Sequence, residues 1–332
     1  MKFVRIGVIG AGKTAQWHVR AYRSIPGVRV QAIANPRSDR GLRLQSSAGI
    51  REFYRDAHEC IRSADLDAVD ICVPAEFHKG YVLAAVRKGL HVYCEKPLCP
   101  SADECAEIID ANKTAGRVIF NGFNYRFMPA FRRLLAIIRS GDMGQLKYIR
   151  ILRTCKESPA GTLRGSMIFN ESVCHYYDLL SLFGLGRIER LTTHGTRALD
   201  WNIDPDIATT VLYYSGGAVA DVTCSHAAPG LAPEIFIVGS KASITVRNGS
   251  TQFIRHRDVW PLGGLLMLLA RDTIRFPLSI LHNPFAGSCR HFIECIRNNR
   301  RSECDETAAF NALKIADAAL ASYQTKKEVS IH

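Results

Sequence analysis

The chain has no run of about 18 uncharged apolar residues, so no membrane-spanning helix is expected. It has no C-x-x-C pair, and its Cys and His residues show no paired ligand spacing, so no metal site is expected. It has no dense run of lysine or arginine and no recognised nucleic-acid motif, so no nucleic-acid partner is expected. It has no internal repeat and no low-complexity linker. The start, "MKFVRIGVIGAG", lacks the long apolar core of a secretion signal, because Arg5 breaks the run; it reads as a first strand.

Cysteine, by contrast, is plentiful. The eleven cysteines are scattered and odd in number, which argues against a disulfide framework and for reduced, buried thiols in a cytoplasmic protein. The net charge of +12 is spread along the chain. A field of that sign attracts anionic small molecules such as nucleotide cofactors or sugar nucleotides. At 332 residues the chain is long for one core, so two domains are expected.

The first part alternates. Strand patterns at 3–12 (running into a glycine turn), 28–35, 67–74, 90–94 and 117–123 are separated by helical patterns of about a dozen residues. Such βαβ units imply a doubly wound parallel sheet of Rossmann type over residues 1–122. After one more helix (129–144) strands dominate: 145–154, 188–196, 207–226 and 233–255, the last two as hairpins. Two helices, at 285–298 and 304–323, finish the chain. Residues 123–332 are thus expected to form a second α/β domain with a large, mainly antiparallel open sheet. The apolar stretch 258–285 reads as an oligomer interface or a lid in preference to a membrane-surface contact, since proline and glycine divide it into loop-like pieces.

The first strand ends in Gly10-Ala11-Gly12-Lys13-Thr14-Ala15, a G-x-G-x-x-A turn that opens the first helix. Gly10 permits the tight turn, Gly12 lets the backbone approach a pyrophosphate, and Ala15 lets helix and strand pack closely. The amides from Lys13 and Thr14 onward would face the anion. At the end of the second strand, where an acid would bind the adenosine ribose, stands Asn35, followed by Arg37 and Arg40. Without the carboxylate, and with arginines at hand, NADP is weakly favoured over NAD. The stretch "HVYCEKPLCP" (91–100) places Glu95 and Lys96 at the end of a probable buried strand. Taken alone it fits a surface ion pair, a metal site, a disulfide loop or a catalytic lysine.

"GAGKTAQWH", "DAVDICVPAEFH", "GLHVYCEKPL" and "ESVCHYYDLL" occur in an order and at separations that resemble the Gfo/Idh/MocA family of oxidoreductases. The resemblance spans essentially the whole chain. It implies an NAD(P)-dependent oxidoreductase acting on a CH–OH or C=O carbon of a sugar, sugar nucleotide or cyclitol. Glu95-Lys96-Pro97 matches the family's E-K-P motif, whose lysine lies beside the nicotinamide and the substrate hydroxyl. Next to a cationic ring its ammonium is disfavoured, so it can relay a proton. His175 matches the family histidine, and Glu171 stands where an Asp is usual. If residues 171–178 are helical, Glu171, His175 and Asp178 share one face. Lys96, His175 and Glu171 are therefore the expected catalytic residues. Pro74 and His78 are expected near the nicotinamide ribose. Tyr125 and Arg126, with Glu171 and His175, are expected to contact substrate, although Arg126 equally suits an inter-domain ion pair. Expected partners are a carbohydrate-like small molecule and further copies of the chain, as a homodimer or homotetramer through the C-terminal sheet. The alternatives are a non-catalytic dinucleotide-binding sensor, or an NAD-dependent hydrolase or lyase of the same fold.

Overall fold

The computed structural model describes residues 3–155, 168–199, 205–230, 233–247, 250–255, 273–275 and 283–331. Its contacts divide the chain into two compact units. One comprises Met1–Met128 and Ile280–Lys314, the other Pro129–Ser279 and Ile315–His332.

The first unit contains β1 (Val4–Ile9), α1 (Lys13–Arg23), β2 (Val28–Ala34), α2 (Ser38–Ala48), β3 (Glu52–Tyr54), α3 (Ala57–Ser63), β4 (Ala68–Ile71), α4 (His78–Lys88), β5 (His91–Cys94), α5 (Ala102–Ala115) and β6 (Ile119–Asn121). The six strands are all parallel, in the order β3-β2-β1-β4-β5-β6. That is the Rossmann order, which reverses direction between β1 and β4. Val4, Ile6, Val8 and Ile9 of β1 are all buried, and so is every residue of β4. Burial on both faces is what helices packed on each side of a parallel sheet require. Ser101 caps α5 by accepting from the Glu104 amide at 3.3 Å. The edge strand β3 and the helix α3, capped by Asp56, were not anticipated from periodicity, which neither is long enough to show.

The expected boundary at 122/123 differs from the division by contacts. Helix α8 (Ala286–Arg297) and the start of α9 (Glu306–Thr325) belong with the first unit. The Asn283 amide donates to the Trp17 carbonyl (2.6 Å), Arg297 to the Pro26 carbonyl (2.6 Å), and the Tyr93 hydroxyl to Ser288 (3.1 Å). Chain order could not show that this late segment returns to α1.

The second unit holds α6 (Pro129–Arg139), β7 (Leu146–Thr154), α7 (Cys174–Ser181), β8 (Ile188–Thr196), β9 (Ile207–Tyr214), β10 (Val219–Ser225), β11 (Glu234–Gly239), β12 (Ala242–Arg247), β13 (Ser250–Arg255), β14 (Thr273–Arg275) and β15 (Val329–Ser330). Among the described residues its sheet runs β14-β13-β12-β11-β7-β10-β9-β8-β15, antiparallel except for the β7–β10 pair. Alternate residues of β9 (Ala208, Thr210, Leu212, Tyr214) are buried and those between them half-buried, so one face of this sheet is covered more fully than the other. Of stretch 258–285, only residues 273–275 and 283–285 are described; its expected role as lid or interface lies outside the described residues. No helix among the described residues is long and apolar enough to cross a membrane.

Candidate functional site

The two glycines of the first turn have different reasons to be glycine. Gly10 has φ +108°, and a Cβ there would lie 2.4 Å from the Cys72 carbonyl oxygen. The fold itself excludes a side chain. Gly12 has ordinary extended angles, and a Cβ there would meet nothing within 4 Å. No protein atom requires that glycine. The open space in front of it lies at the start of α1, whose first turn carries no acid. Ala15 is fully buried, where its small size lets α1 sit close to the sheet. Lys13 is exposed and Thr14 half-buried on the same turn. Free amides at a helix N-terminus with open space before them suit a phosphate.

Asn35 follows β2. Its amide nitrogen donates to the Arg37 carbonyl at 2.7 Å, which folds the turn into α2. The Arg37 side chain is exposed, 3.9 Å from Asp39, which also pairs with Arg43. A cleft of about 610 Å³ runs from the glycine turn between α1 and α2. Lys13, Arg20, Arg23, Arg40 and Arg43 line it. Arg40 and Lys13 thus line one basic cleft, and Arg37 is not among its lining residues.

Lys96 follows β5, the second neighbour of β1 in the sheet. At a strand spacing of about 4.8 Å, the glycine turn and the Lys96 turn lie about 10 Å apart along the same sheet edge. The Glu95 amide extends the pairing with β4 by donating to the Ile71 carbonyl (2.9 Å). Gly122, just past β6, presses on this turn: a Cβ there would lie 2.9 Å from Glu95 Oε1 and 3.0 Å from the Lys96 backbone nitrogen.

His78 is buried, and both its ring nitrogens meet backbone carbonyls, Nδ1 at Pro97 (2.7 Å) and Nε2 at Val73 (2.8 Å). It ties the turn after β4 to the turn after β5. Both of its ring nitrogens are thus engaged by the protein's own backbone. Burial pulls its pKa below the usual imidazole value. Pro74 is exposed at the start of the turn beside it.

Behind Lys96 lies a cluster that sequence reasoning passed over. His18, on α1, is fully buried, with Nδ1 2.9 Å from Asp70 Oδ2 and Nε2 3.3 Å from Glu95 Oε1. Burial alone would lower its pKa, but the charge of Asp70, with hydrogen bonds to Asp70 and Glu95, pushes it up to about 10. The signal was Asp70 itself, an acid inside a strand buried on both faces, which demands a partner.

All eleven cysteines are free thiols, and all but Cys72 are buried. Burial pushes the Cys94 thiol up, and hydrogen bonding with Cys105 together with burial does the same for Cys99. Neither is a nucleophile at neutral pH. Arg126 is buried, with Nη1 donating to the Glu303 carbonyl at 2.6 Å. Tyr125 is half-buried in the same short turn.

In the second unit, Glu171 lies in a wide turn, Ile168–Ser172, before α7 begins at Cys174. The single-helix argument for a shared face thus does not describe Glu171. The Val173 amide reaches back five residues to the Ile168 carbonyl (3.1 Å), and the wider turn changes the phase. His175 and Asp178 are in α7 and buried. Beside Glu171, the Ser172 hydroxyl meets His226 Nε2 at 2.7 Å. His226, at the end of β10, was not singled out from sequence.

The oxidoreductase family described by its NAD-binding Rossmann fold, Gfo/Idh/MocA, matches residues 4–123, and that family's C-terminal domain matches residues 131–245. The chain belongs to the Gfo/Idh/MocA family. This member is 31% identical over 252 residues to a myo-inositol 2-dehydrogenase of Thermotoga maritima, covering 74% of this chain and 75% of that one. It is 26% identical to a scyllo-inositol 2-dehydrogenase (NAD(+)) of Bacillus subtilis, over 99% of this chain and 96% of the other. A levoglucosan dehydrogenase solved in complex with NADH shares the fold, with a TM-score of 0.88 at 19% identity over the whole of both chains. This Gfo/Idh/MocA member is thus an oxidoreductase built on an NAD-binding Rossmann unit.

Proposed function

We propose that the protein is a dehydrogenase that moves a hydride between a nicotinamide dinucleotide and a CH–OH or C=O carbon of a sugar, sugar nucleotide or cyclitol, with NADP preferred. One observation carries the reading. A glycine turn with an open Gly12 and the Glu95–Lys96 turn lie on the same edge of one parallel sheet. The open space at Gly12 and the acid-free start of α1 fit a pyrophosphate. Asn35 in place of an acid, with Arg37 and Arg40 following, supports acceptance of a 2′-phosphate. The inositol 2-dehydrogenase relatives support a cyclitol or sugar as substrate.

When bound, the dinucleotide supplies the hydride acceptor or donor. Lys96 holds and releases the proton of the reacting hydroxyl. His175 serves as general acid or base. Glu171 orients His175 or binds a substrate hydroxyl, and Tyr125 and Arg126 line the substrate pocket. Self-association uses the open sheet of the second unit, where Phe236 is exposed.

The test is a panel of cyclitols, sugars and sugar nucleotides with NAD and NADP, read as reduced nicotinamide formed and as thermal stabilisation by each ligand. The reading expects NADP to stabilise more than NAD, and one substrate class to reduce it. Turnover of substrate without net reduction would instead point to hydrolase or lyase chemistry.

A further inference from the structure

A buried ion-pair cluster connects the helix of the glycine turn to the Lys96 turn. His18 stands on α1, five residues after Lys13. Asp70 is in β4 and Glu95 follows β5. His18 and Asp70 are fully buried, and the Glu95 side chain is only 14% exposed. The His18 ring is held edge-on by Tyr93 (4.8 Å) and tilted against Phe285 (4.5 Å), so its plane is fixed.

The two ring nitrogens face two carboxylates from two strands. A neutral imidazole has one N–H, so one carboxylate would then face a lone pair in a largely buried site. Imidazolium satisfies both. The other ionisable groups around it are Tyr22 on α1, Cys72 just past β4, Tyr93 on β5 and Cys289 on α8, with His78 and Lys96 near Glu95. Burial pushes the two phenols and the two thiols well up, so they stay neutral. The ligand atoms of His18, Asp70 and Cys72 also lie within 4.8 Å of one another, a spacing that could suit a metal. However, the Cys72 thiol donates to Asp70 at 3.1 Å, which needs its proton, and His18 uses both nitrogens on carboxylates. The cluster is an ion-pair triad: His18 is hydrogen-bonded to Asp70 and pairs by charge with Glu95 at 3.3 Å, outside hydrogen-bond geometry.

We propose that His18 is a positioning residue for the Lys96 turn: anchored by Asp70, its imidazolium holds the Glu95 carboxylate and thereby sets the place and charge of Lys96. The inference rests on the reading of Lys96 as the group that handles the hydroxyl proton. His18 touches neither substrate nor dinucleotide in this role. Its charge balances Glu95, which otherwise would draw a proton onto Lys96.

The experiment compares pH profiles of kcat/KM in the oxidation direction for the wild type, His18→Asn, Glu95→Gln and Lys96→Met. Removing the imidazolium leaves Glu95 uncompensated, so in His18→Asn the rising limb should move up by about one pH unit. Glu95→Gln should move it down by a similar amount, since the ammonium loses the carboxylate of the adjacent residue. At neutral pH the kcat of His18→Asn should fall about tenfold or more, while the dinucleotide KM changes less than about threefold. A residue that only fills the core would lower the denaturation midpoint and leave the limb in place. Should His18→Asn not fold, the wild type still answers: nitrogen NMR of its histidines should show both His18 ring nitrogens protonated above about pH 8. A neutral His18 ring at that pH, or limbs unmoved in the variants, overturns the inference. Lys96→Met separates the two readings. Full activity in that variant refutes the role of Lys96 itself, whereas an inactive Lys96→Met with unmoved limbs elsewhere refutes the role of His18 alone.

Discussion

Replacing each turn glycine by alanine should separate folding from binding. In Gly10→Ala, the residue must hold φ +108°, which costs an L side chain about 1–2 kcal/mol. Its Cβ would also sit 2.4 Å from the Cys72 oxygen and 2.9 Å from the Cys72 carbonyl carbon. Both are backbone atoms, so β1 or the end of β4 must shift, adding about 1–3 kcal/mol. The total loss is about 2–5 kcal/mol. In Gly12→Ala, the backbone angles suit alanine and the methyl meets nothing. The gain of about 0.4–1 kcal/mol from restricting the unfolded chain offsets the slight preference for glycine at a helix start. Stability should stay within about 0.5 kcal/mol of wild type. The methyl would nevertheless stand where a pyrophosphate must approach, so dinucleotide affinity should fall at least about tenfold, or 1.4 kcal/mol. Denaturant unfolding of the ligand-free protein gives the first quantity and calorimetric titration the second. Wild-type affinity in Gly12→Ala would refute the cradle, and so would destabilisation equal to that of Gly10→Ala.

Asn35→Asp should weaken NADP binding by about 10- to 100-fold and spare NAD, because a carboxylate there repels the 2′-phosphate; parallel titrations check it. Gly122→Ala should lower turnover by about tenfold or more, because its Cβ would push on Glu95 and the Lys96 nitrogen, at a stability cost of about 1–3 kcal/mol; steady-state kinetics beside denaturation curves measure both. His18, raised from 6.5 to about 10 in the folded chain, contributes stability that is complete below about pH 6.5 and lost as pH rises through 10. Unfolding free energy should therefore fall over that window, by a few kcal/mol in all, and His18→Asn should flatten the decline, as denaturation curves taken across pH will show.

The parallel sheet was legible because each β1-, β4- and β5-type run is buried on both faces and the longer helices between them, such as α1, α2 and α4, have room for a full amphipathic turn pattern. The antiparallel sheet was legible from alternation, as in β9 and β10. What stayed hidden was short or non-local. Glu52–Tyr54 is three residues at a sheet edge, too few for a period. The return of α8 to the first unit rests on contacts such as Asn283 with Trp17, which no local pattern encodes. In the site, the glycine turn and the Lys96 turn were visible as strand-end motifs. The wide turn under Glu171 was not, since a five-residue reach leaves no mark in residue spacing. The His18–Asp70 pair could have been found. An aspartate in the middle of "DAVDICVP" is costly in a covered strand unless a cation meets it, and the search for that cation leads to a histidine on the facing helix.

The central claim is that this chain moves a hydride to a nicotinamide with Lys96 handling the hydroxyl proton. The most direct measurement is net formation of reduced nicotinamide when wild type and Lys96→Met are each given NADP or NAD and the cyclitol and sugar panel. The account predicts stoichiometric reduction with at least one substrate class, reduced by about a thousandfold or more in Lys96→Met while dinucleotide affinity is kept. Net reduction by Lys96→Met at the wild-type rate would contradict it.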